Sequence, residues 1–135
     1  MIYLSGIHAL NLPCELLTCG DWHQSGIQWR DLPLLESDGS IFGDYGIERN
    51  KFVPEHSESF NVANHIRALL DLLILNKYSV AQGMNNDYIC NEEYDEEVFR
   101  KVSVLRKHGQ WEGIDYFMGR EYCAKWLRYK TREGL

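Results

Sequence analysis

No stretch of this chain is apolar over the roughly 18 residues that a membrane-spanning helix needs, so a soluble protein with no membrane partner is expected. The opening Met1-Ile2-Tyr3-Leu4-Ser5 lacks a basic segment ahead of an apolar one, so it has no signal-peptide shape and the expected location is cytoplasmic. Three prolines in 135 residues leave no material for a proline-rich linker. No repeat and no low-complexity tract divides the chain, which reads as a single domain over residues 1–135. Cysteines number only four, Cys14, Cys19, Cys90 and Cys123, and without a secretory signal they are expected as free thiols. Also missing are a Gly-x-Ser-x-Gly nucleophile elbow, a P-loop and a dinucleotide-binding glycine fingerprint, so no cofactor is expected.

What is present is ample material for a core. The chain is 44% hydrophobic and 13% aromatic, which excludes a disordered polypeptide. Basic side chains are scarce at first and then concentrated. Residues 1–97 carry 5 basic and 16 acidic groups, whereas residues 98–135 carry 9 basic and 4 acidic, for a net charge of −6. An overall acidic chain disfavours nonspecific nucleic-acid binding. The simplest use of the basic tail is to dock on the acidic part and neutralise it.

Turn chemistry separates two styles of structure. Residues 1–60 are punctuated by glycine and proline, leaving room for short strands at Ile2–Leu4, Ile27–Trp29, Ile41–Phe42 and around Gly46–Glu48. Ser5 opens a short helix toward Leu12, and Ser37-Asp38-Gly39-Ser40 is a turn. Beyond residue 60 the apolar spacing becomes helical. The first helix is expected over Asn61–Asn76, capped by Ser59 or Asn61 and apolar nearly all round in its second half. A loop follows at Gly83–Asp87. Another helix starts at Asp95 with acidic residues in its first turn and ends before Gly109, and a last one starts near Trp111, with Gly119 as its point of kinking or splitting. The expected fold class is α+β, with short strands and loops in the N-terminal half and three or four packed helices in the C-terminal half.

Several constellations carry chemical possibilities. Cys14, Cys19 and His23 form a Cys-x4-Cys-x3-His series, a weak candidate for zinc because the tight Cys-x2-Cys pairing is absent. Asp21, His23 and Asp44 lie in glycine-rich loops and would serve a small hydrolase of nuclease or phosphatase type as general acid, base or metal ligand; the alternative is that the aspartates cap turns. A thiol hydrolase pairing Cys19 with His23 is weaker, because Gly20 breaks the helix that would align them. Trp22, Trp29 and Tyr45, aromatics set in loops, are candidate anchors for a protein partner. Arg128 and Lys130, between Trp126 and Tyr129, give the last helix a possible nucleic-acid contact; at helical spacing the two aromatics fit a core equally well. Arg67 and Asp71 are an i,i+4 pair on an otherwise apolar helix, suited to bond across it or to anchor the preceding loop.

The segment Val62-Ala63-Asn64-His65-Ile66-Arg67-Ala68-Leu69-Leu70-Asp71-Leu72-Leu73 resembles the helix with an Arg-Ala-Leu-Leu-Asp core in antitoxins of the abortive-infection type IV toxin–antitoxin systems. Tyr3-Leu4-Ser5-Gly6-Ile7-His8-Ala9-Leu10-Asn11-Leu12 is similar to that family's first helix, and the two segments together span about residues 1–85. Ile66 stands where the family has a glutamate, and no winged-helix domain precedes the first segment. The resemblance implies a non-enzymatic antitoxin or neutralising protein of a bacterial or phage conflict system, with a nucleotidyltransferase-like protein as its partner; the family's autorepression of an operon is not carried over. The expected function is therefore macromolecule binding, with a small hydrolase and an RNA-binding protein as the alternatives.

Overall fold

A computed structural model describes residues 1–20 and 26–135. Strands and helices divide as the turn chemistry implies, and the fold class is α+β. Strands β1 (Ile2–Leu4), β2 (Leu34–Glu36), β3 (Ile47–Lys51) and β4 (Phe60–Ala63) form one sheet in the order β2-β1-β4-β3. β1 runs parallel to β4, with Leu4 opposite Val62, and the two outer pairings are antiparallel. The sequence reading misplaced part of this sheet. Ile27–Trp29 and Ile41–Phe42 are not strands, whereas Leu34–Glu36 is one. β2 is only three residues long and follows Pro33, which an edge strand tolerates because its missing N–H faces no neighbour.

Helix α1 (Gly6–Leu10) leads back across the central helix α2 (His65–Ile74), whose residues His65–Leu73 are all buried. The helix expected from Asn61 starts later. Residues 60–63 pair as β4, and Asn64 then caps α2 by accepting the Arg67 backbone N–H through its side chain at 2.9 Å. Gly46 sits against this cap: a Cβ there would lie 2.8 Å from Arg67 Cβ, and its φ of 72° already favours glycine.

The rest of the chain is helical. Short α3 (Tyr78–Ala81) leads to a six-residue π-helix, Met84–Ile89, where the sequence suggested a loop. Helices α4 (Asp95–Ser103), α5 (Trp111–Tyr122) and α6 (Ala124–Glu133) follow. The break between α5 and α6 falls at Cys123 (φ 52°), so the expected split at Gly119 is corrected: that glycine continues α5. Phe99, Tyr122, Trp126 and Tyr129 pack ring against ring between α4, α5 and α6, with Trp126 and Tyr129 stacked at 5.7 Å. Those two aromatics are buried core residues. Among the described residues no helix is long and apolar enough to cross a membrane.

Candidate functional site

The residues singled out in the sequence scatter into different structural roles. Arg67 is completely buried and saturates its donors. Nε bonds Asp71 at 3.1 Å, Nη1 bonds the Gly43 and Tyr45 carbonyls at 2.7 and 2.6 Å, and Nη2 bonds the hydroxyls of Tyr3 and Ser40 at 3.0 and 3.2 Å. Asp71 also accepts the hydroxyls of Tyr3 and Ser5, at 2.8 and 2.6 Å. The pair thus fastens β1 and the 40–46 loop to α2, the anchoring role its spacing suggested, and Arg67 has no surface to offer a partner. Burial and the Asp71 carboxylate hold the Tyr3 phenol well above its usual value, so it remains a donor. Asp44 accepts the Ser37 hydroxyl at 2.6 Å, a turn-locking bond. Tyr45 donates its hydroxyl to Glu97 and lies under the Lys101 ammonium, 4.0 Å from its ring centre. Trp29 packs partly buried, edge-on to His8, and its carbonyl accepts His56 Nε2 at 2.7 Å. Asp21, Trp22 and His23 lie outside the described residues, so of the proposed carboxylate–histidine site only Asp44 is described.

The basic C-terminal helix is spent on intramolecular pairs. Lys125 reaches Glu92 at 3.3 Å and Asp95 at 3.2 Å, Arg132 reaches Glu96 at 2.8 Å, and Lys130 reaches Asp115 at 2.8 Å. Three of these four acidic partners belong to the acidic part of the chain. Among the described residues Arg128 has no ion-pair partner.

A different constellation comes together at the start of α2. Residues 11–20 form a segment without helix or strand that crosses the N-terminal end of that helix. His65, the first helical residue, has Nε2 2.7 Å from the Leu12 carbonyl oxygen. A carbonyl only accepts, so Nε2 carries the proton and Nδ1 is the free base of the neutral ring. Nδ1 lies 2.7 Å from the Thr18 hydroxyl oxygen, which is 3.4 Å from Cys14 Sγ. Burial works against a thiolate at Cys14, but hydrogen bonds to that thiolate from the His65 ring once it has taken the proton, from the Thr18 hydroxyl and from the His65 backbone N–H outweigh it and hold the thiol below its usual value. Burial likewise disfavours a charged His65, yet Cys14, the Leu12 carbonyl and the nearby Glu48 charge together raise its pKa. Glu48 is itself fixed, accepting the Glu15 N–H at 2.8 Å and pairing with Lys51 at 3.0 Å. The thiol, the hydroxyl and the imidazole therefore form a short proton path directed by a backbone carbonyl.

Two expectations about cysteine are corrected here. Cys19 and Cys90 form a disulfide with Cα atoms 6.0 Å apart, so they are not free thiols; Cys14 and Cys123 are. The Cys19 sulfur is thus unavailable to the suggested zinc series, and among the described residues no group of three His, Cys, Asp or Glu side chains is arranged to hold a metal ion. The pairing of Cys14 with His65 escaped sequence reading because 51 positions separate them, and because a helix begun at Asn61 puts His65 in its second turn. The available signal was Asn64, a strong capping residue three positions before Arg67. A groove of about 950 Å³ between α3 and α5 is lined by Tyr78, Tyr116, Phe117 and Arg120 among others, and none of the Cys14 cluster lines it. No known protein family, curated protein or solved structure matches this chain.

Proposed function

We propose that Cys14 is a nucleophilic thiol and that the chain catalyses acyl transfer or hydrolysis through it. The observation that carries this reading is the orientation of His65, whose Nε2–H is committed to the Leu12 carbonyl so that Nδ1 faces the Thr18–Cys14 pair. In the proposed reaction the Cys14 proton passes through the Thr18 hydroxyl to His65 Nδ1. The thiolate then attacks the carbonyl carbon of an ester or thioester. The leaving alcohol or thiol departs with the proton from His65, leaving an acyl-enzyme. Water, deprotonated by the same nitrogen, then cleaves the acyl–sulfur bond and restores the thiol. This differs from the nuclease or phosphatase chemistry suggested for Asp21, His23 and Asp44, and it places the thiol hydrolase weighed for Cys19 and His23 on Cys14 and His65 instead.

The test uses a pair of thiols in one molecule. Cys123 is the exposed free cysteine and serves as the internal reference. Brief iodoacetamide labelling, read peptide by peptide, should modify Cys14 at a lower pH than Cys123. His65→Ala should abolish that advantage, and Cys14→Ser should remove any turnover of p-nitrophenyl esters. Equal labelling of the two cysteines across the pH range would refute the reading.

A second reading is favoured by the charge pairing. Because α6 spends three of its basic groups internally, its surface is a poor RNA site, while the excess of acidic over basic groups in residues 1–97 suits a basic protein partner. That is the antitoxin-like role the resemblance implies, in a bacterial or phage conflict system. Growth arrest by the neighbouring gene, relieved by this chain and equally by Cys14→Ser, would favour partner binding over thiol chemistry. Both readings place the protein in the cytoplasm, where a disulfide is usually transient and redox-sensing rather than structural.

A further inference from the structure

Cys14 and Thr18 have no helix or strand to hold them, so their geometry depends on what fixes the segment that carries them. The inner end is packed: Leu12 is buried and its carbonyl holds His65. The outer end rests on residues 88–94. The Leu17 N–H donates to the Tyr94 hydroxyl at 3.0 Å, the Leu17 carbonyl accepts Asn91 Nδ2 at 2.8 Å, and the Gly20 N–H donates to the Tyr88 carbonyl at 2.9 Å. The two bonds at Leu17 are exposed, where water competes for each partner, and the Leu17 side chain is 73% exposed and adds no packing, whereas the Gly20 bond, two residues beyond Thr18, joins buried residues. The covalent tie is Cys19–Cys90, next in sequence to Thr18. Its far side is also irregular. Cys90 ends the π-helix in the left-handed region, with φ 44° and ψ 35°, a conformation that a residue with a Cβ resists and that the cross-link helps to hold. Cys19 is exposed, so a reductant can reach its sulfur.

We infer that the Cys19–Cys90 disulfide is a reversible latch that sets the nucleophilicity of Cys14, an inference that rests on the reading of Cys14 given above. The opening reagent is a dithiol. One of its thiolates attacks the Cys19 sulfur and expels Cys90 as a thiolate, and its second thiol then resolves the mixed disulfide. Two electrons and two protons end on Cys19 and Cys90 as thiols, and the reductant leaves as its own disulfide. With the tie gone, the Glu15 and Gly20 hydrogen bonds and the packed Leu16 keep the segment near α2, but the register of Thr18 on His65 Nδ1 is lost and with it the Cys14 proton path, whereas the buried imidazole stays on Leu12. Oxidation by a disulfide-form oxidant reverses each step. Reducing conditions thus silence the thiol and oxidising conditions arm it.

The experiment measures the iodoacetamide rate constant of Cys14 at pH 7 by peptide mass spectrometry, in the full chain. The oxidised protein is compared with protein reduced by dithiothreitol and desalted, with reduced protein re-oxidised, and with Cys90→Ser. The expected result is a fall of at least tenfold in the reduced protein and in Cys90→Ser, reversed by re-oxidation in the wild type alone. Asn91→Ala, which removes two exposed hydrogen bonds (to the Leu17 carbonyl and from the Glu93 N–H) but keeps the disulfide, should retain the oxidised rate. Rates within twofold for oxidised and reduced protein would overturn the latch while leaving the Cys14 reading intact. An equal fall in oxidised Asn91→Ala would overturn it too, by assigning the restraint to hydrogen bonds. A Cys14 rate equal to that of Cys123 in the oxidised protein would overturn latch and thiol reading together. Circular dichroism confirms the fold in each state, and should Cys90→Ser fail to fold, the reduced wild type decides.

Discussion

At the scale of single residues, the described part of the chain buries the Arg67 cation completely and half-buries the Cys14 thiol beside the buried His65 ring, and treats the two differently. Arg67 has every described donor group placed on an acceptor, two of them backbone carbonyls of the 43–45 turn. Removing it therefore harms more than the ion pair. Arg67→Met would leave Asp71 buried opposite two hydroxyls and would strand the Gly43 and Tyr45 carbonyls. A cost of about 3–5 kcal/mol in urea unfolding is expected. The usual remedy, replacing both charges with apolar side chains, should recover little here. In Arg67→Met/Asp71→Leu the two carbonyls remain without donors, at about 1–3 kcal/mol each. A double variant as stable as the wild type would show that the 43–45 turn rearranges freely, contrary to the role assigned to Arg67. At the Cys14 site the groups are instead arranged to exchange a proton. That difference, saturation against a directed free base, is what separates the two clusters as scaffold and candidate chemistry.

At the scale of elements, α5 and α6 are joined by a residue that titrates. Asp115 on α5 accepts the Trp126 indole N–H at 2.8 Å and pairs with Lys130, both on α6. Burial raises its pKa, but Lys130 and the indole N–H outweigh that and hold the carboxyl below its usual range. A depressed carboxylate contributes stability above its unfolded value, near 3.9, and loses it as the pH falls through the lower folded value. Asp115→Asn keeps an oxygen for the indole but no charge for Lys130. The wild type should exceed this variant in thermal stability at pH 7, by less than about 1 kcal/mol because the carboxylate is about a third exposed, and the gap should begin to narrow as the pH falls below about 3.9 and go on narrowing through the lower folded value. A gap that does not narrow with falling pH would mean that packing, not charge, distinguishes the two. Elements of this kind were legible in the sequence because their signals are local. The acidic first turn of α4, the apolar α2 and the aromatic stripe of α6 all follow helical spacing. The strands were less legible because β2 is three residues of Leu-Leu-Glu with no alternation to read, and β4 looks like the first turn of the helix it precedes.

At the scale of the whole molecule, what the sequence could not reveal is what joins its distant parts. Cys14 and His65 meet across 51 residues and Cys19 and Cys90 across 71, and neither pairing leaves a periodic trace. The charge division was visible, and it became docking: Lys125 and Arg132 close α6 onto the carboxylates that open α4 and the turn before it. The disulfide adds a second long closure, and its contribution decides whether the latch can work. Chain-entropy reasoning for a loop of this size gives roughly 4 kcal/mol, carried mainly by the unfolded state. Domains of this length are stable by about 5–15 kcal/mol, and the core of α2, α4, α5 and α6 contains neither cysteine of the bond. Reduction should therefore lower the melting temperature by on the order of 15 °C and leave a cooperative transition with unchanged far-ultraviolet circular dichroism at 25 °C. That outcome is required of a switch, since a bond that only regulates must break without unfolding its domain. If reduced protein instead shows no cooperative melt, the Cys19–Cys90 bond is a structural staple, and its loss would end activity by unfolding rather than by releasing Thr18.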